Sequence, residues 1–432
     1  MGIETTRVDP IREKKATGFA AKLALLLSCD DGMVQMALYT PLMASIALTF
    51  ADAPSWAIDF GLSVTATAML PAMLLAGVVA KYVNKKILII IGTVVFMLAG
   101  LAIAVAPSIE YLIAARAVIG LGGGFAFPLI PSAISQLFNE AEKNRMLGWM
   151  NAMGSFLSFV LTAVAGFVAI SGWRQAFLLY LLFVPVIVLQ VLFLPNFKPE
   201  REIGHRHAAS AELQATGASP SGAKHPGYAK LGWRVWACCL GLFSFLIMVS
   251  AVTFRISLFI ETTGMGNSGD SGMASGIMLC SSFVTSSLFG IILRFTKRYT
   301  PLVSMASLIV SFALLCMAES LPMCFSAMVF QGIAMGTIMP YVYSCVSRWA
   351  RPLQVTFAMS LVSFFQFGAQ LAETGWLGFT AAIGFGGFRE LFLLCGALVL
   401  AALVVLAPII VLKKPDYPGR EDAGPETRTR EE

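Results

Sequence analysis

Charge is scarce in this chain. Asp, Glu, Lys and Arg make up 12% of its 432 residues, against about 25% in soluble globular domains. With 57% hydrophobic residues and a mean hydropathy of +0.79, this excludes an ordinary soluble fold and points to a membrane protein. Histidine is scarcer still: His205, His207 and His225 all fall in one polar stretch, so no histidine relay is expected inside the membrane. The eight cysteines form no CxxC and lie within apolar segments. Neither a zinc site nor a disulfide framework is indicated, and no metal or cofactor is expected. No secretory signal is evident, because the first 17 residues are polar and the apolar run after them is too long for one. No run alternates polar and apolar residues, which excludes barrel strands. The net charge is +6, but the basic residues sit between apolar runs rather than on one patch, so no nucleic-acid partner is expected.

What is present is a duplication. GWRQAFLL at 172–179 returns as GFRELFLL at 387–394, an offset of 215 residues. Gly120, Gly124 and Pro128 return as Gly332, Gly336 and Pro340. Gly77, Lys81 and Lys85 return as Gly290, Arg294 and Arg298. Three matches in one order at nearly one offset mean two copies of one membrane unit, and such repeats place a binding site at their interface.

A helix needs about 20 apolar residues to cross a bilayer core. The apolar runs give twelve spans near 22–50, 56–80, 87–106, 109–136, 146–170, 175–195, 234–260, 271–293, 301–318, 320–347, 353–384 and 390–412. The expected fold is an all-α membrane protein with twelve transmembrane helices in two pseudosymmetric six-helix halves. The halves are residues 1–195 and 234–412, with a cytoplasmic linker at 196–233 and a cytoplasmic tail at 413–432. One set of short loops holds Lys81, Lys85, Lys86, Lys143, Arg145, Arg294, Lys297, Arg298, Arg348 and Arg351, whereas the opposite set holds Arg174 and Arg389. The positive-inside bias puts the first set and both termini in the cytoplasm. Acids mark the other face: Asp52, Asp59, Glu110, Glu261, Asp270 and Glu319.

Two six-helix halves joined by such a linker resemble the major facilitator superfamily, and local motifs carry the resemblance. After span 2 that family shows G-x-L-a-D-r-x-G-r-k, and here stands Gly77-Val-Val-Ala-Lys81-Tyr-Val-Asn84-Lys85-Lys86. Lys81 replaces an acid that latches the halves in relatives. The same lysines also read as plain positive-inside residues. In span 4 the family pattern l-x-x-x-R-x-x-q-G-x-g falls on Leu112, Arg116, Gly120 and Gly122, with Ile119 in place of Gln. An arginine in an apolar span is a functional candidate by default; a structural ion pair is the alternative. Position 328, the duplicate of Arg116, is Met, so selection for packing alone does not explain the charge.

Asp30 and Asp31 open a run through Gln35 that looks like the span-1 signature D-x-t-V-V-N-V-A-L of drug:proton antiporters, although Tyr39 stands where its Pro belongs. The resemblance favours Asp30 as the cavity-facing acid, since consecutive helical residues point about 100° apart. In low dielectric a carboxyl readily exchanges its charge for a proton. The alternative is a surface acid paired with Lys22 or water. A depth estimate leaves about 9 Å between Asp30 and Arg116 along the normal, too far for a direct salt bridge; a water-bridged contact stays open. In span 11, Gln366, Gln370 and Glu373 stand at i, i+4, i+7 and form one stripe near the bilayer centre, where such transporters bind substrate. The two glutamines also suit bonds across helices. Arg255 in span 7 either reaches the headgroups or Glu261, or contacts an anion. Arg174 and Arg389 suit capping at the outer surface. The antiporter motif G-P-x-x-G is incomplete in span 5, where Gly154 and Gly166 occur without a Pro between 131 and 185.

The resulting expectation is a secondary transporter of a plasma membrane working by alternating access. It exports a small organic compound in exchange for protons, as a monomer in the lipid bilayer. Asp30, Asp31, Arg116 and Glu373 are assigned to proton coupling, and Gln35, Arg116, Arg255, Gln366, Gln370 and Glu373 to substrate. Gly77, Lys85, Gly120, Gly124, Gly290, Arg298, Gly332 and Gly336 are assigned to packing and conformational change. Proton-coupled uptake of an organic anion is the alternative. A receptor is disfavoured because 196–233 is too short for a signalling domain, and an enzyme because no nucleophile–base constellation occurs.

Overall fold

The structure is a computed structural model and describes residues 18–28, 35, 38–39, 42–50, 55–168, 172–197, 231–253, 255–266, 268–350 and 354–412. Asp30, Asp31, most of the expected linker and the tail from 413 lie outside the described residues. Wherever they are described, the expected spans are helices. Span 1 is described at its ends, Phe19–Leu27 and Met43–Thr49. Spans 2 to 6 are Ser55–Val79, Lys85–Ala104, Ile109–Ala126 with Leu129–Leu137, Glu140–Val168, and Trp173–Ala176 continuing through Phe183–Phe193. Spans 7 to 12 are Trp233–Thr253 with Ile256–Thr262, Ser268–Ser287 with Phe289–Thr296, Thr300–Cys316, Leu321–Trp349, Val355–Ala382 and Phe388–Leu412. Nine described helices are long and apolar enough to cross a membrane.

The boundaries have local causes. Asn84 caps span 3 by accepting from the Lys86 amide at 3.0 Å and also accepts from the Phe197 amide at the end of the first half. Ser108 caps span 4 by accepting from the Tyr111 amide, as N-cap hydroxyls do. Lys297 has φ 46°, a left-handed turn uncommon for a side-chain-bearing residue, and there span 8 gives way to span 9.

The duplication is visible in the packing. Span 4 lies against span 2 and span 10 against span 8. A Cβ on Gly124 would stand 2.7 Å from the Ala72 side chain, and one on Gly336 would stand 2.9 Å from the Ser282 carbonyl. Only a bare backbone allows approaches this close. Gly120 and Gly332 are equally crowded, against Thr65 and Met278. The arginines of the repeated GWRQAFLL and GFRELFLL segments also do matched work. Arg174 donates to the Ala106 carbonyl at 3.0 Å and Arg389 to the Ala318 carbonyl at 3.1 Å, each closing the end of the helix three spans earlier in its own half. The prolines are used differently. Span 4 breaks its helix at Phe127 and Pro128, whereas Pro340 lies within continuous helix.

The halves meet along two seams. Where span 2 faces span 11, the contact is apolar: Met69, Met73, Phe127 and Phe367 form one cluster, and the Phe127 and Phe367 rings meet edge to face at 5.3 Å. Where span 5 faces span 8, it is hydroxylic. Asn151 donates to Ser286 at 2.7 Å, Ser286 donates to the Gly336 carbonyl, and Ser155 and Ser282 share a hydrogen bond at 3.1 Å. At the basic end of the bundle, Lys85 is buried and donates to Ser132 at 3.0 Å. Ser132 in turn shares a hydrogen bond with Thr356 of the opposite half at 2.8 Å. Ser344 donates to Asn144 across the same end, and Gly77 lies against Ser360. The Lys81 ammonium, at the position where the resemblance leads one to expect an acid, lies 5.5 Å from the Phe357 ring centre.

Candidate functional site

Two polar groupings lie deep in the bundle, one in each half. In the first half Arg116 is fully buried. Its Nε donates to the Gly61 carbonyl, its Nη2 donates to Gln35 Oε1 at 3.1 Å, and its guanidinium carbon lies over Tyr39, 3.7 Å from the ring centre. Spans 1, 2 and 4 are thereby pinned together by one cation, partly solvated by an aromatic face. Arg116 Nη1 and Gln35 Nε2 are buried without a hydrogen bond. No carboxylate pairs with Arg116 among the described residues, so the ion-pair alternative finds no partner there. Neither Gly61 nor Tyr39 was singled out by its sequence. A main-chain carbonyl leaves no sequence signal, and Tyr39 stood out only as the residue replacing an expected proline.

Asp30 and Asp31 fall outside the described residues. The alternative pairing of Asp30 with Lys22 meets a competitor, because Lys22 pairs with Glu142 of span 5.

In the second half Arg255 lies in span 7, next to the start of Ile256–Thr262. Gln331 of span 10 is fully buried and donates to the Val249 carbonyl at 3.0 Å and to Thr253 at 2.9 Å, which ties span 10 to span 7. Its Oε1 has no partner. Sequence reasoning passed over Gln331, yet the signal was there: at the 212-residue offset it corresponds to Ile119, where the span-4 pattern expects Gln.

The expected stripe on span 11 divides in two. Gln366 accepts from the Tyr343 hydroxyl at 2.9 Å, so it bonds across helices. Gln370 and Glu373 each keep a buried oxygen without a hydrogen bond, and Glu373 is 5% exposed. The Arg255 guanidinium approaches the Phe388 ring at 5.9 Å and makes no ion pair with Glu261 among the described residues. Gln370 and Glu373 thus share one face of span 11 and Gln331 bonds to span 7, whereas Arg116 and Gln35 belong to a separate grouping. Gly290 lies against Arg145, and Arg298 donates to Tyr299 at 2.7 Å at the basic end, away from both.

A family model described as Major Facilitator Superfamily matches residues 23–318 and 292–431. The chain is 37% identical over 129 residues to the methylenomycin A resistance protein of Streptomyces coelicolor, covering 29% of this chain and 26% of that one. It is 27% identical over 199 residues to the multidrug efflux pump LfrA of Mycolicibacterium smegmatis, covering 46% and 38%. It is 27% identical over 180 residues to the arabinose-proton symporter of Escherichia coli, covering 41% and 36%. The matched part thus spans less than half the length of each of these relatives. Among solved structures, the human organic anion transporter MFSD10 superposes with a TM-score of 0.70 at 15% identity, over 92% of this chain and 100% of that one. The proton:xylose symporter XylE superposes with 0.69 at 14% identity, over 90% and 96%. These structural likenesses speak to the fold alone.

Proposed function

Because the chain belongs to the major facilitator superfamily, and is thus a membrane transporter rather than an enzyme, we propose that it exports a small organic compound in exchange for protons. The observation that carries the reading is Glu373, a buried carboxyl with an unbonded oxygen, three residues from Gln370, whose Oε1 is also unbonded. An acid in that setting holds either a proton or a substrate group. Mutually exclusive occupancy then gives exchange without a separate gate. Asp30 serves as a second proton site in this reading, and Arg116 biases the span-1 region electrostatically while holding spans 1, 2 and 4 in register.

The halves rock about the midplane in alternating access. The Lys85–Ser132–Thr356 and Asn144–Ser344 contacts belong to the state closed at the basic end, which the positive-inside bias assigns to the cytoplasm of a plasma membrane. Resistance and multidrug efflux in the names of two relatives support export. The name of a third supports proton coupling.

A thermal-shift screen over lipophilic cations, organic acids and sugars supplies the test compound. Substrate-driven proton release is then measured in proteoliposomes carrying wild type, Asp30→Asn or Glu373→Gln. Release is expected to fall in both variants, and undiminished release in both overturns the assignment. Accumulation with the proton gradient rather than against it would make the protein a symporter instead.

A further inference from the structure

Hydroxyls such as Ser250 and Ser304 are satisfied inside their own helices, donating to the carbonyl one turn earlier at 2.8 and 3.2 Å. Span 11 departs from this. Ser360 and Ser363 are fully buried, and neither hydroxyl makes a hydrogen bond. The buried Oε1 atoms of Gln370 and Glu373 on the same span make none either. Ser158 on span 5 and Ser311 on span 9 are each the single such group on their spans among the described residues. Folded proteins pair nearly every buried polar atom, with water where the chain itself supplies no partner. A row of open groups on one helix is therefore a row of water positions.

The row is continuous. Ser360, Ser363, Gln366, Gln370 and Glu373 follow one another at steps of three or four residues, which sets neighbours about 5–6 Å apart on the helix surface. One water closes such a gap with two hydrogen bonds. Phe367 packs edge to face on Phe127 between Ser363 and Gln370, so the way past it runs by Gln366, which the Tyr343 hydroxyl anchors at 2.9 Å. From Ser360 to Glu373 the row climbs about 20 Å. Hydroxyls donate and accept, and amide oxygens accept, so these groups orient water without fixing a charge. Span 11 carries no charged residue from Val355 to Ala372. The lower end is covered by the other half: a Cβ on Gly77 would stand 2.7 Å from Ser360 Oγ.

We propose that this face of span 11 is the proton path of Glu373, a file of water held by Ser360, Ser363, Gln366 and Gln370 and leading to the basic end. This rests on the reading of Glu373 as the exchange site. When a substrate group takes the carboxylate, the Glu373 O–H bond breaks and its proton joins the adjoining water. Each water hands on one of its own protons, and one proton emerges at Ser360. The serines and glutamines end with as many protons as they began with. Because Gly77 covers Ser360 in the state closed at the basic end, the file discharges only when the halves part there. The motion that admits substrate at that end also sets the side on which the proton leaves.

The test needs no substrate. The purified full-length chain is given a pH jump, and time-resolved infrared spectroscopy follows the protonated-carboxyl band that is missing in Glu373→Gln. Ser363→Val and Ser363→Thr have one shape and differ in the hydroxyl, and Gln370→Leu interrupts the row one step from Glu373. Each variant is first checked for a wild-type thermal midpoint. In Ser363→Val and Gln370→Leu the band is expected to respond about tenfold more slowly, the equivalent of roughly 1.4 kcal/mol in the barrier. Ser363→Thr is expected to keep the wild-type rate. An unchanged rate in either folded apolar variant overturns the path, and so does equal slowing in Ser363→Val and Ser363→Thr, which would assign the effect to bulk. In those outcomes the band itself still reports Glu373 as a proton site. If wild type and Glu373→Gln show the same spectrum, the reading of Glu373 falls together with the path.

Discussion

Arg116 and Glu373 are buried to nearly the same degree, in opposite halves, and are held in opposite ways. Arg116 has a main-chain carbonyl, a glutamine and an aromatic face around it. Glu373 has a buried oxygen without a hydrogen bond. A buried charge whose bonds are made inside the protein acts as a fastener, because breaking them leaves uncompensated polar groups. A buried charge whose bonds are unmade waits for a ligand or a proton. Burial alone, which is all that an apolar run around a charged residue implies, does not separate the two cases.

The comparison breaks most visibly if Arg116 is removed. Arg116→Met leaves the Gly61 carbonyl and Gln35 without their donor. Hydrogen bonds to charged groups contribute about 1.5–3 kcal/mol each, so a drop of roughly 3 kcal/mol in stability is expected, read as a lower thermal midpoint in detergent. Arg116→Lys should recover part of it. Wild-type stability in Arg116→Met with transport abolished would move Arg116 from fastener to ligand site.

Glu373→Gln should do the reverse, with stability kept and function lost. The neutral isostere removes no hydrogen bond from Oε1, since none is present. Substrate-driven proton release is expected to fall by about tenfold or more, equivalent to roughly 1.4 kcal/mol. Flux should no longer follow an imposed pH gradient. A lower midpoint with coupling intact would make Glu373 structural.

The glycines offer a smaller, symmetric test. Gly124→Val and Gly336→Val each force a side chain into a span–span contact, and overpacking costs about 1–3 kcal/mol. Near-equal losses in thermal stability are expected, because Gly124 on span 4 and Gly336 on span 10 perform one task in two copies. Unequal losses would mean that the halves share sequence spacing without sharing packing.

These contrasts also show which parts of the molecule the amino-acid order announces. Apolar runs and the repeat lead directly to the spans and to the matched contacts of Arg174 and Arg389, because hydrophobicity and periodic glycine act locally. Arg116, Glu373 and Gln370 were legible as misfits in apolar helices. Their partners were not. Gly61 contributes only a carbonyl, and Lys22 meets Glu142 across 120 residues. The different characters of the two seams depend on which faces meet, and that is set by tertiary packing.

Lys85 is a third kind of buried charge and sharpens the comparison further. Its partner Ser132 sits in a contact between halves, sharing a hydrogen bond with Thr356, so part of its satisfaction depends on the conformation. Ser132→Ala should therefore leave the fold intact and weaken only the state closed at the basic end. An interhelical hydrogen bond in a membrane contributes about 0.6 kcal/mol on average, which predicts roughly a threefold shift in population. The measurement is the rate at which a thiol reagent labels a cysteine introduced at Ser360, buried against Gly77 in that closed state. The rate should rise about threefold in Ser132→Ala over the same background. The Arg116→Lys variant should leave it unchanged, because Arg116's hydrogen bonds lie within one half. Equal rises in both would mean that bonds inside a half and bonds between halves serve the same end, and the distinction between fastener and gate would fail.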